Sequence, residues 1–122
     1  MQLLTKELEK RFAEVGCQKD VIDPLVIARF FNPAGAAVWY ATEYDPEKKV
    51  FFGYVSIFGD YDDEWDIFSI SKLDECKHRF GVDIERDLDF RERPISAVIP
   101  EALGKYNNMC TVHEDCDGSC GA

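Results

Sequence analysis

No stretch of this 122-residue chain stays apolar for anything near the roughly 20 residues that a bilayer-crossing helix needs. The opening "MQLLTKELEKRF" turns charged within a few residues and so lacks the apolar segment of a secretory leader. The expected location is therefore the cytoplasm, with no membrane partner. Enzyme signatures are missing as well: there is no G-x-S-x-G, no H-E-x-x-H, no P-loop and no dinucleotide-binding glycine pattern. A non-enzymatic role is the expectation, with a small enzyme lacking a short signature as an alternative. Basic residues are in the minority, fourteen against twenty-four acidic ones, and the net charge of −10 repels phosphate backbones. Direct nucleic-acid binding is thereby disfavoured. The five cysteines are odd in number, so they cannot all pair within one chain, and without a leader they read as reduced thiols.

What is present is enough for one domain. An apolar fraction of 46%, with nine Phe, five Tyr and two Trp, supplies the large side chains of a core. In "LLTKELEKRFAEVG", Leu4, Leu8, Phe12 and Val15 recur at helical intervals, Thr5 stands at the N-cap position, and Gly16 marks the stop. Cys17, just beyond, reads as a packed or idle thiol. Three strand-like runs follow, "LVIARFF", "AAVWYATEY" and "VFFGYVSIF", joined by "NPAG" and "DPEKK", whose Asn-Pro and Asp-Pro pairs start turns. This predicts an antiparallel meander. Both alternating sets of the third run are apolar or aromatic, which places that strand centrally, covered on both faces. An acidic loop then leads to a short fourth strand near Asp66–Ser69 and to a helix over "SKLDECKHRFG", with Ser71 and Asp74 as a weak capping box and Leu73 facing inward. "VDIERDLDF" suggests an extended stretch against the sheet edge, while Pro94 and Pro100 argue that regular structure fades. The expected architecture is α+β: an antiparallel sheet of about four strands with two helices packed on one face. The domain spans residues 1–104, and residues 105–122 form an irregular acidic tail bearing cysteines.

The combination "DPLVIARFF", "WYATEYDPEKKVFFGYV", "FSISKLDE", "IERDLDF" and "PIS", with the opening "LLTKELEK", resembles the bacterial family called domain of unknown function 2958 from about Leu3 to Ser96. The resemblance implies a small bacterial protein of the kind often encoded on plasmids and integrating mobile elements, near transfer and anti-restriction genes. It carries no catalytic residue over, because the family's activity is not established. The chain departs from the family pattern in the acidic insertion around Asp60–Asp66 and in the cysteine-bearing tail.

Two sets of candidate residues stand out. Asp60, Asp62, Asp63, Glu64 and Asp66 place five carboxylates within seven residues, which repel one another and gain from meeting a basic surface. On this reading the segment binds a protein partner and Tyr61 and Trp65 are its aromatic anchors; the plainer reading is a solvated loop with Trp65 turned into the core. In the tail, Cys110, His113, Cys116 and Cys120 form C-x2-H-x2-C-x3-C, a full donor set for zinc. A tail of free thiols, a disulfide and an iron–sulfur cluster are the other readings, so no cofactor is the expectation and zinc is the alternative. Glu43 and Asp45, two apart on a strand, could be an acid–base pair, although the turn before Pro46 already explains Asp45. "IERDLDFRER" reads as charged edge pairs that guard against strand addition, and His78 as a surface residue. The leading functional expectation is an acidic interaction protein of mobile genetic elements that occupies a basic surface by mimicking nucleic acid, as inhibitor or adaptor of a host defence or DNA-processing protein. A metal-binding or redox-responsive module is the alternative.

Overall fold

The computed structural model describes residues 3–18, 20–57 and 63–103, with the backbone alone over 76–80. Helix α1 (Lys6–Val15) opens on Thr5, whose Oγ1 accepts from the Leu8 amide at 3.1 Å. It ends at Gly16, which has φ of 69° and donates its N–H to the Phe12 carbonyl. A side chain at that angle is strained, so glycine ends the helix cheaply. Phe12 is buried, and Leu4, Leu8 and Val15 pack beside it as the helical spacing requires.

The expected run from Leu25 to Phe31 divides into β1 (Leu25–Val26) and β2 (Ala28–Phe31). Ile27 lies between them and donates its N–H to the Ala41 carbonyl. Strands β3 (Val38–Asp45), β4 (Val50–Ser56) and β5 (Glu64–Ser69) continue the meander, and β6 (Glu85–Arg86) adds to the far side of β2. The main sheet has the order β5-β4-β3-β2-β6 and is antiparallel throughout, with five strands where four were expected. A second, two-stranded sheet pairs β1 with β7 (Arg93–Pro94). Both proline connectors work as turns. Asn32 Oδ1 accepts from the Ala34 amide, and Asp45 Oδ1 accepts from the amides of Glu47 and Lys48.

The alternation of β4 builds two cores. Phe51 joins Phe30, Tyr44, Phe68 and Phe12 on the face covered by α1 and by α2 (Ile70–Phe80), which contributes the fully buried Leu73. Phe52 and Tyr54 join Val26, Trp65, Ile95 and Ala102 on the other face. The strand is thus interior and covered on both sides. Helix α2 starts two residues earlier than the capping-box reading places it, since Ser69 and not Ser71 accepts from the Lys72 amide. Regular structure also persists beyond Pro94: α3 (Ile95–Val98) and a 3-10 turn (Pro100–Ala102) close the second core. The prolines sit where they cost nothing, before a helix or at its first position. No helix among the described residues is long and apolar enough to cross a membrane.

Candidate functional site

Of the acidic segment, Asp60, Tyr61 and Asp62 lie outside the described residues. Strand β5 begins at Glu64, two residues before the sequence pattern suggests, and its two-residue period sorts the rest. Glu64 and Asp66 point outward and are exposed. Asp63 and Trp65 turn the other way. Asp63 is buried and accepts from Ser56 Oγ at 2.8 Å. Burial first, and then the Asp63 carboxylate, push the nearby Tyr54 hydroxyl above its ordinary pKa.

Trp65 is 1% exposed, stacks on Phe52 at 5.6 Å and donates Nε1–H to the Ala102 carbonyl at 2.8 Å. It is a core anchor for the C-terminal cover, which corrects its reading as an interface anchor. Trp65→Phe leaves that carbonyl without its donor and removes ring volume, so it should lower unfolding stability by about 2 kcal/mol. Urea midpoints with an unchanged slope test this, and a loss below a few tenths of a kilocalorie contradicts it.

The donor set Cys110, His113, Cys116 and Cys120 lies outside the described residues, as do the tail and the Cys76 and His78 side chains. Among the described residues no group of three or more metal-ligating side chains comes together. Cys17 is disulfide-bonded, which corrects the reduced-thiol reading at that position.

Glu43 and Asp45 do not form a pair. Asp45 is committed to the turn. Glu43 is fully buried beneath the sheet, where β3 bulges: Ala41 faces Gly53 and Glu43 faces Phe52, so Thr42 is the extra residue. Burial raises the Glu43 pKa from 4.5 to about 7, partly offset by a hydrogen bond from the Gln18 backbone. The Gln18 side chain knits the same spot together, accepting from the Leu25 amide at 2.6 Å and donating to the carbonyls of Leu25 and Thr42. Neither of two surface recesses, one beside α1 and one beside α3, is lined by Glu43 or Asp45. The arrangement fastens the end of α1 to the sheet.

Carboxylates gather at the β5 edge of the main sheet. Residues 63–75, from the start of β5 into α2, hold five acidic side chains and one basic one, four of the ten net negative charges. Among them Glu64, Asp66, Asp74 and Glu75 are exposed and enter neither ion pair found among the described residues. Those pairs, Arg11–Glu92 at 2.9 Å and Arg29–Asp87 at 3.1 Å, lie toward the opposite edge. Two of the charges of "IERDLDFRER" thus pair outside the segment, Glu92 with α1 and Asp87 with β2.

A family model described as Protein of unknown function (DUF2958) matches residues 3–105. The chain belongs to this family. The match covers the described domain from α1 through the 3-10 turn and stops before the cysteine cluster. No curated protein and no solved structure matches the chain. Membership of DUF2958 therefore assigns no activity and no site residue.

Proposed function

We propose that this DUF2958 protein is a non-enzymatic, acidic interaction protein that binds a protein with a basic surface through the β5 edge. The observation that carries the reading is the concentration of exposed carboxylates on β5 and the start of α2. Carboxylates spaced along a strand edge resemble a run of phosphates in charge and separation, and they favour groove-type basic surfaces. Strand β5 also ends the sheet, and Ile67 on it is 40% exposed, an apolar contact beside the charges. With the mobile-element setting that the family resemblance implies, the partner class we propose is a nucleic-acid-binding protein of host defence or DNA processing in a bacterium.

The test is affinity capture from a bacterial lysate with the full chain and with a Glu64→Lys, Asp66→Lys variant. The expected partner is a nucleic-acid-binding protein released by added salt and by duplex DNA. Its capture by the variant should fall about tenfold or more, as loss of several cross-interface charge pairs implies. Capture that is indifferent to salt, duplex and both substitutions overturns the reading.

A further inference from the structure

We propose that the recess walled by the segment between β6 and α3 is a binding site for a phosphate monoester of nucleoside-monophosphate size. The cavity measures about 310 Å³, within the range of small-ligand sites. Three of the chain's six arginines, Arg29, Arg91 and Arg93, line it, and among the described residues no lysine does. Guanidinium groups match phosphate oxygens with two parallel donors, whereas an ammonium offers a point charge. For a chain of net charge −10, this is an unexpected place to collect them.

Backbone geometry explains the collection. Residues 91–93 run extended into β7, so Arg91 and Arg93 fall on one side and Glu92 on the other. Glu92 turns away to α1, where the Arg11 guanidinium takes both of its carboxylate oxygens. The acidic member of the triplet is thus removed from the recess and neutralised elsewhere. Arg91 and Arg93 are exposed and enter neither ion pair among the described residues.

Arg29 supplies a fixed floor. Its Nη1 donates to Asp87 Oδ2, and its guanidinium lies 5.2 Å from the centroid of the Phe31 ring. Asp87 is held in turn, donating its amide to the Arg29 carbonyl and accepting the Asp89 amide. One of the three guanidinium groups is therefore held in place before a ligand arrives. Tyr40 and Phe90 add aromatic surface, and Ala97 and Val98 of α3 add an apolar wall. A bare phosphate leaves that surface unused, while a planar base covers it. The exposed carboxylate of Asp89 repels the phosphate but accepts hydrogen bonds from hydroxyl groups, which suits a ribose.

The experiment is calorimetric titration of the full chain, at low salt, with adenosine 5′-monophosphate, adenosine, inorganic phosphate and a short single-stranded oligonucleotide. Saturable one-site binding of the monophosphate is expected, with adenosine and phosphate each weaker. Arg91→Ala with Arg93→Ala should weaken the monophosphate by about tenfold or more, because two charge-assisted contacts are lost. Both residues are exposed, so circular dichroism of the double variant should be unchanged. Lys72→Ala on α2, and the Glu64→Lys, Asp66→Lys variant of the acidic edge, should bind as the parent does. No saturation at millimolar monophosphate, adenosine as tight as its phosphate, or full binding by the folded arginine variant each overturns the proposal. An oligonucleotide that binds more tightly than the monophosphate overturns it in favour of a nucleic-acid strand.

Discussion

Replacing Gly53 by alanine should cost about 4 kcal/mol or more of unfolding stability. Gly53 sits mid-strand in β4, between Ala41 of β3 and Asp66 of β5. A Cβ built there lies 1.8 Å from the Tyr40 carbonyl oxygen, 2.8 Å from its carbon and 2.9 Å from the Ala41 Cα. All three atoms are backbone, so no side chain can swing aside. Relief requires β3 to move away from β4 at the bulge, which strains the longest ladder of the sheet and the Ala41 carbonyl contact that divides β1 from β2. Chemical denaturation of Gly53→Ala against the parent checks this. A midpoint within experimental error of the parent would show that the bulge yields freely. Gly35→Ala is the instructive contrast: its Cβ meets the Asn32 side-chain amide, which can shift, so about 1 kcal/mol or less is expected.

The same bulge separates what could be read in the sequence from what could not. The meander, the doubly covered β4, the N-terminal helix with its Thr5 cap and the extended stretch near Glu85 all rest on periodicity and turn chemistry, which are local. Bulges are not local. Thr42 becomes an extra residue only because β3 pairs with β4 as it does, and nothing in "WYATEYDP" announces it. Glu43 was read as half of an acid–base pair with Asp45, and nothing local in the sequence shows that it is fully buried. Trp65 lies where the plainer reading put it, turned into the core, and the strand that holds it there begins at Glu64, two residues earlier than the sequence pattern suggests. The cover formed by α3 and the 3-10 turn was hidden by Pro94 and Pro100, which break strands yet begin helices.

The candidate sites were legible to very different degrees. A run of carboxylates is visible in any sequence, and its exposed half, Glu64 and Asp66, is where the alternation of β5 puts it. The arginine recess could not be found this way. Arg29 and Asp87 are 58 residues apart in the chain, and Arg91 and Arg93 were read as part of an alternating charged guard. Only the long-range pairing of Glu92 with Arg11 shows that Arg91 and Arg93 line the recess without the carboxylate that stands between them in the chain. A signal did exist: three arginines in eight residues, 86–93, of a chain that otherwise favours lysine.

Glu43 gives the second large effect, and it is one of pH. An unfolded chain releases this proton near the ordinary 4.5, while the folded protein holds it to about 7. Between those values the native state binds more protons than the unfolded state, so stability falls as pH rises across the interval. Below 4.5 the contribution is fully present; above about 7 it is lost and the fold carries a buried charge. The shift corresponds to about 3 kcal/mol. Glu43→Gln keeps the shape and an oxygen to accept from the Gln18 backbone but cannot ionise. The variant should match the parent near pH 4.5, exceed it by about 3 kcal/mol at pH 8, and show a flatter stability profile between. Urea unfolding of both proteins across that range is the measurement. Parallel profiles would mean that the carboxylate is ionised at a cost already offset by its surroundings, and would return Glu43 to consideration as a charged group with work to do.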